Sequence, residues 1–174
     1  MFASLIFRIF APRLKAVLPD VPVIHIFRGL VPFIAVDLMR LAYVEVLADE
    51  RKTTTTAFLL RALRWFRSNG IRTERVMTDN GSAYRSRQFH KALHWLGIRH
   101  IYTRPYTPKR TGKAERFIQT LLREWAYGLA HPSPAARNDD LPRWLDWFNR
   151  SRSHSALKGL APISAVNNLM RNHS

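Results

Sequence analysis

Residues 75–84 read RVMTDNGSAY, and residues 104–117 read RPYTPKRTGKAERF. The first stretch is a short strand, Arg75–Thr78, that runs into an acid, Asp79, and then into Asn80-Gly81. An acid at a strand end followed by a tight turn sits at a sheet edge, where a carboxylate can face a ligand crevice. Taken alone, Asp79-Asn80-Gly81 reads more simply as a turn. In the second stretch Glu115 falls on the first turn of a helix expected from Lys113 to about Tyr127. It borders the apolar stripe Phe117, Ile118, Leu121, Leu122 and Trp125. An acid near a helix N-terminus is also favoured for its own sake, by about 0.3–1 kcal/mol.

The pair carries more than either member. Positions 79 and 115 are 36 apart, with 35 residues between them. That interval holds a helix, Arg87–Leu96, capped by Ser86 and ended by Gly97. A strand, Ile98–Thr103, and the Pro-containing loop Arg104–Gly112 follow. Such a path can return the chain to the same sheet edge. Two carboxylates brought together repel each other and call for a cation. Hard oxygen ligands in a chain without cysteine select Mg²⁺ or Mn²⁺.

Outward from this centre the pattern is α/β. Val23–Phe27, Phe33–Val36 and Leu41–Leu47 read as strands. Thr53–Thr56 offers N-caps for a helix over Ala57–Ser68, whose inner face is Phe58, Ala62, Trp65 and Phe66 and whose stop is Gly70. Leu141–Asn149 reads as a short helix with Pro142 in its first turn, and the basic tail from Arg150 reads as irregular. The expected organisation is an irregular segment 1–30, one α/β core over 31–166 and a tail 167–174, without internal repeats.

Charge is the dominant bulk property. Lys and Arg number 28 against 12 acids, a net charge of +16, which points to nucleic acid first and an anionic membrane surface second. From Arg99 to Arg123 seven bases (Arg99, Arg104, Lys109, Arg110, Lys113, Arg116, Arg123) surround one acid, Glu115. Tyr102 and Tyr106 interleave with them, as stacking platforms or as packing residues. The absence of cysteine excludes disulfides, thiolate zinc sites and a cysteine nucleophile. The apolar opening Met1–Ala11 is short and interrupted by Arg8, so it fits neither a signal peptide nor a membrane span, and a soluble protein is expected. His90 and His94 have a zinc-like spacing without an evident third ligand. Trp95, Trp125, Trp144 and Trp147 are expected in core packing, with Trp144 and Trp147 also candidates for an oligomer contact. His154 reads equally as a phosphate contact or a surface histidine.

Thr78-Asp79-Asn80-Gly81-Ser82-Ala83-Tyr84 resembles the second-aspartate motif of the DDE transposases of bacterial insertion sequences. Arg104 to Thr107-Pro108, continued by Gly112 to Phe117, resembles their glutamate motif, and the 35-residue gap matches their spacing. Asn149 and Arg152–Leu157 resemble their C-terminal motif, with Phe148 in place of Tyr and Ser153 in place of Pro. The resemblance runs from about Val36 to about Val166. It implies a ribonuclease H-like mixed sheet flanked by helices, similar to retroviral integrase. It further implies that Asp79 and Glu115 are the second and third metal-binding carboxylates, with Mg²⁺ or Mn²⁺, and that Lys113 and Arg116 contact DNA; the basic loop and helix around them add Arg104, Lys109, Arg110 and Arg123 as expected DNA-holding residues. The implied reaction is hydrolysis at an element end, then attack of the freed 3′-hydroxyl on target DNA. The implied setting is the bacterial cytoplasm at the nucleoid, with homo-oligomers or pairing with an intact transposase.

Two departures stand beside it. The family's first carboxylate lies on the first strand, and in Ile24-His25-Ile26-Phe27 a phenylalanine takes its place; Asp20 and Asp37 are poor substitutes. The family's N-terminal helix-turn-helix modules have no counterpart in this sequence. The expectation is therefore a shortened and degenerate transposase core. Its rival is a DNA-binding module without catalysis, able to interfere with an intact transposase; a ribonuclease H-like nuclease for RNA–DNA hybrids is a weaker one.

Overall fold

The computed structural model describes residues 23–26, 33–36, 40–102, 112–128 and 130–171, with backbone alone at 23–26, 33–36 and 112–115. Its sheet contains β1 (Val23–Ile26), β2 (Phe33–Val36), β3 (Ala42–Val44), β4 (Arg75–Thr78) and β5 (Arg99–Tyr102), in the order β3-β2-β1-β4-β5. β1 is antiparallel to β2, and β2 to β3, while β1, β4 and β5 run parallel. The helices are α1 (Lys52–Ser68), α2 (Arg87–Trp95), α3 (Gly112–Leu121), α4 (Pro134–Arg150) and α5 (Pro162–Arg171). A π-helical turn, Leu122–Ala126, prolongs α3, and a 3₁₀ turn, Ser155–Leu157, precedes α5.

Alternation along β3 divides the core into two layers. Leu41, with Phe58, Phe66, Val76, Phe89 and Leu93, packs α1 and α2 on one face of the sheet. Ala42 and Val44, with Phe117, Leu121, Trp144 and Phe148, pack α3 and α4 on the other. Period-2 alternation in the strand thus meets period-3.6 stripes in the helices on both sides. β3-α1-β4 and β4-α2-β5 each join parallel strands through a helix, so α1 and α2 run side by side in the same direction.

Several expected boundaries move for physical reasons. Ser86 caps α2 as expected, its Oγ accepting from the Phe89 amide at 3.3 Å. Thr53–Thr56, read as capping material, lies inside α1, which begins after Arg51. There the Thr56 hydroxyl donates back to the Lys52 carbonyl at 2.6 Å, satisfying itself within the helix. α4 starts two turns earlier than expected, because Ser133 caps it by accepting from the Ala136 amide at 3.1 Å and Pro134 takes the first turn. Pro142 therefore sits in the helix interior. The tail is not irregular: α5 forms and buries Val166 against the α1 layer. Trp125 and Trp144 are buried as expected, but Trp95 is 86% exposed and Trp147 is 44% exposed.

Candidate functional site

β4 is buried along its whole length, and it delivers Asp79 at its C-terminal end. Asp79 is half-buried, and its Oδ1 accepts from the Gly81 amide at 2.8 Å. The turn reading is therefore correct as local structure, and the turn is what holds the carboxylate at the strand end. The β1–β4 register pairs Ile26 with Thr78. The residue after Thr78 is Asp79; the residue after Ile26 in the sequence is Phe27, which lies outside the described residues.

Behind Asp79 the α2 side of the sheet is a polar and aromatic network. The Thr78 hydroxyl donates to the Asp79 carbonyl at 2.9 Å and lies 2.8 Å from His100 Nε2. With the hydroxyl proton so committed, His100 donates from Nε2, and its buried Nδ1 has no partner. Burial, reinforced by the charge of His90, lowers the His100 pKa to about 4, so the ring is neutral near pH 7. Tyr102 donates to the Tyr84 carbonyl at 3.3 Å and pairs with His90 Nε2. His90 is thus engaged in packing polar groups together. Among the described residues no three His, Cys, Asp or Glu gather as a metal-holding group.

Glu115 and Lys113 lie on the first turn of α3, placed by backbone. Arg116 and Arg123 are exposed and seven positions apart, two turns along one face of the same helical segment. Arg104, Lys109, Arg110 and Tyr106 lie outside the described residues.

Three contacts with no role assigned from the sequence fix α4 to the sheet and to the α3 segment. Asn149, buried within α4, accepts from the Ala42 amide at 3.0 Å and donates to the Ala42 carbonyl at 2.8 Å. Arg152 grips Glu124 with two hydrogen bonds, at 3.0 and 2.6 Å, and lies over the Phe148 ring. Phe148 in turn meets Phe117 edge-on at 5.1 Å, two residues beyond Glu115. His154 is neither a surface histidine nor an open phosphate contact. It is 8% exposed and packs edge-on against Phe148, and burial and the charges of Arg152 and Arg40 lower its pKa. The signals in the sequence were the motif resemblance of Asn149 and Arg152–Leu157 and a polar Asn149 next to the apolar stripe Leu141, Trp144, Leu145 and Phe148.

Residues 20–108 match the integrase core domain family, and residues 96–162 match a further integrase core domain model. The chain belongs to the integrase core domain family. It is 30% identical over 86 residues to an insertion element IS136 uncharacterized protein of Agrobacterium fabrum, covering 49% of this chain and 44% of that protein. It is 29% identical over 86 residues to the transposase InsD for insertion element IS2 of Escherichia coli, covering 49% of this chain and 29% of that protein. The chain thus spans less than half the length of these curated relatives. In fold it resembles the catalytic core domain of BIV integrase, with a TM-score of 0.67 at 16% identity over 87% of this chain and 97% of that chain. The fold is accordingly the ribonuclease H-like mixed sheet flanked by helices. Among the described residues no helix is long and apolar enough to cross a membrane.

The integrase core domain family generally depends on divalent metal. The donors present fit a hard dication in kind, since Asp79 and Glu115 offer carboxylate oxygens and the chain has no thiolate. Ile26, which pairs with Thr78, is followed in the sequence by Phe27, which offers no carboxylate.

Proposed function

We propose that this chain is the catalytic-core region of a DNA transposase, and that Asp79 and Glu115 hold Mg²⁺ or Mn²⁺ for strand cleavage and transfer. The observation that carries this reading is Asp79 itself, held by its turn at the end of a buried interior strand inside the integrase core match. A bound dication would activate the attacking oxygen and stabilise the leaving oxygen. The chain's own part is to place charge. Lys113, Arg116 and Arg123, with Arg104, Lys109 and Arg110 that precede them in the sequence, engage backbone phosphates and set the register of the DNA. Neutral His100 supports Thr78 without adding a cation beside the site. DNA is the substrate, and the working place is the bacterial cytoplasm at the nucleoid. Pairing with further copies, or with an intact transposase, brings two DNA ends together.

One observation favours a second reading, a DNA-binding core without catalysis: the register pairs Ile26 with Thr78, and the residue that follows Ile26 in the sequence is Phe27, not an acid. Calorimetric Mn²⁺ titration separates the two. The transposase reading expects saturable binding that Asp79→Asn abolishes and Phe27→Asp strengthens, together with strand transfer. A folded chain that binds no Mn²⁺, with or without Phe27→Asp, overturns it and leaves the DNA-binding reading.

A further inference from the structure

α1 and α2 lie side by side on the face of the sheet opposite α3. Neither helix contains an acidic residue. Over residues 52–99 ten Lys or Arg stand against two acids, Glu74 and Asp79. Arg64 and Arg67 are exposed one turn apart on α1; Arg87, Lys91 and Trp95 are exposed along one side of α2. None of these four bases forms an ion pair with an acid among the described residues. Like charges one turn apart destabilise a helix by a few tenths of a kcal/mol per pair, and nothing within either helix relieves them. An anionic partner would.

Trp95 is the second, independent feature. At 86% exposure it is a large aromatic ring left in water at the end of α2, beside half-exposed Leu96. A ring bordered by bases suits a polyanion that also offers flat, stackable groups. That combination describes nucleic acid better than an anionic lipid surface or an acidic protein.

The sheet and its two helical layers separate this surface from Arg116 and Arg123 by roughly 30 Å, from helix diameters and layer spacing. DNA is stiff on that scale, with a persistence length of about 50 nm, so a short duplex on the α3 face cannot bend round to the α1–α2 face. We infer that the α1–α2 face is a second DNA-binding surface. It engages a duplex separate from the one held by α3, through Arg64, Arg67 and Lys91 on phosphates and Trp95 against a deoxyribose or the terminal base pair. The inference rests on the proposed DNA-handling function and adds a holding surface apart from the catalytic edge.

The test uses the whole chain and a short fluorescent DNA duplex at low salt. Sedimentation should give two duplexes per chain for the wild type. It should give one for an Arg64→Gln/Arg67→Gln/Lys91→Gln variant, whose exposed positions leave its melting temperature unchanged. The slope of log K against log salt should fall by about 0.9 for each phosphate contact removed. Trp95→Ala should weaken the second binding event and leave the first intact. One duplex per chain, lost in Arg116→Gln/Arg123→Gln and unaffected by the triple variant, overturns the second surface while DNA binding by α3 stands. No binding by the wild type overturns both. A chain that dimerises, becomes monomeric with Trp95→Ala and keeps its DNA stoichiometry shows that the surface seats a second copy, which also overturns the inference.

Discussion

Asn149 makes with Ala42 the pair of hydrogen bonds that a neighbouring strand would make. Its side-chain oxygen accepts from the Ala42 amide at 3.0 Å and its amide nitrogen donates to the Ala42 carbonyl at 2.8 Å. β3 is the edge strand of the sheet, so these backbone groups have no strand partner on that side. Asn149 closes the edge and fixes α4 to the sheet. Asn149→Ala leaves two buried polar groups unsatisfied, at about 1–3 kcal/mol each. A loss of about 2–4 kcal/mol in urea unfolding is expected, and a loss below 1 kcal/mol would show that water replaces the side chain.

Arg152 and Glu124 tie the segment after α4 to the π-helical turn that prolongs α3. The pair is bidentate and about two-thirds buried, so it exceeds the usual surface ion pair while remaining screened. A double-mutant cycle with Arg152→Gln and Glu124→Gln is expected to give a coupling of about 1–2 kcal/mol. Hydrogen exchange in Arg152→Gln should rise over residues 116–126 and stay unchanged over α1. An equal rise in both regions would mean a general loss of stability and no specific hold on this helix.

Gly128 closes the π-helical turn, in which the Tyr127 amide bonds to the Leu122 carbonyl at 2.9 Å. A Cβ at position 128 would lie 2.0 Å from the Arg123 carbonyl oxygen. The neighbour is backbone and cannot swing aside, so the turn must open. Gly128→Ala should cost about 1–3 kcal/mol, as overpacking does, and should lower the melting temperature. An unchanged melting temperature would show that the turn relaxes freely.

His100 gives a pH dependence with a definite sign. Its folded-state pKa is lowered from 6.5 to about 4, chiefly by burial and further by His90. The unfolded chain therefore takes up a proton that the folded chain resists. The contribution is complete above about pH 6.5, declines as the pH falls towards 4 and is fully lost below it. His100→Gln keeps a donor for Thr78 and removes the titration. The difference in urea midpoint between wild type and variant should shrink or reverse from pH 7 to pH 4. A difference independent of pH would place the His100 pKa near its ordinary value in the fold.

The sequence by itself determined what short-range chemistry decides. β4 and its Asp79 turn, the cap at Ser86, the strand at 33–36 and the helix that carries Glu115 were legible, because period, cap and turn residues act within a few positions. The motifs around Asp79, Glu115 and Asn149, in order and at matching spacings, carried the resemblance that indicated the fold and the family. Tertiary structure decided the rest. Asn149 finds Ala42 across 107 positions, and Arg152 finds Glu124 across 28, so no local pattern announces either contact. The early start of α4 lay in the local Ser133-Pro134 cap, whereas the burial of α5 against the α1 layer and the exposure of Trp95 depend on which faces meet when the layers close. Residue type sets whether a side chain can be buried; only the packing of the two layers on the sheet settles which ones are.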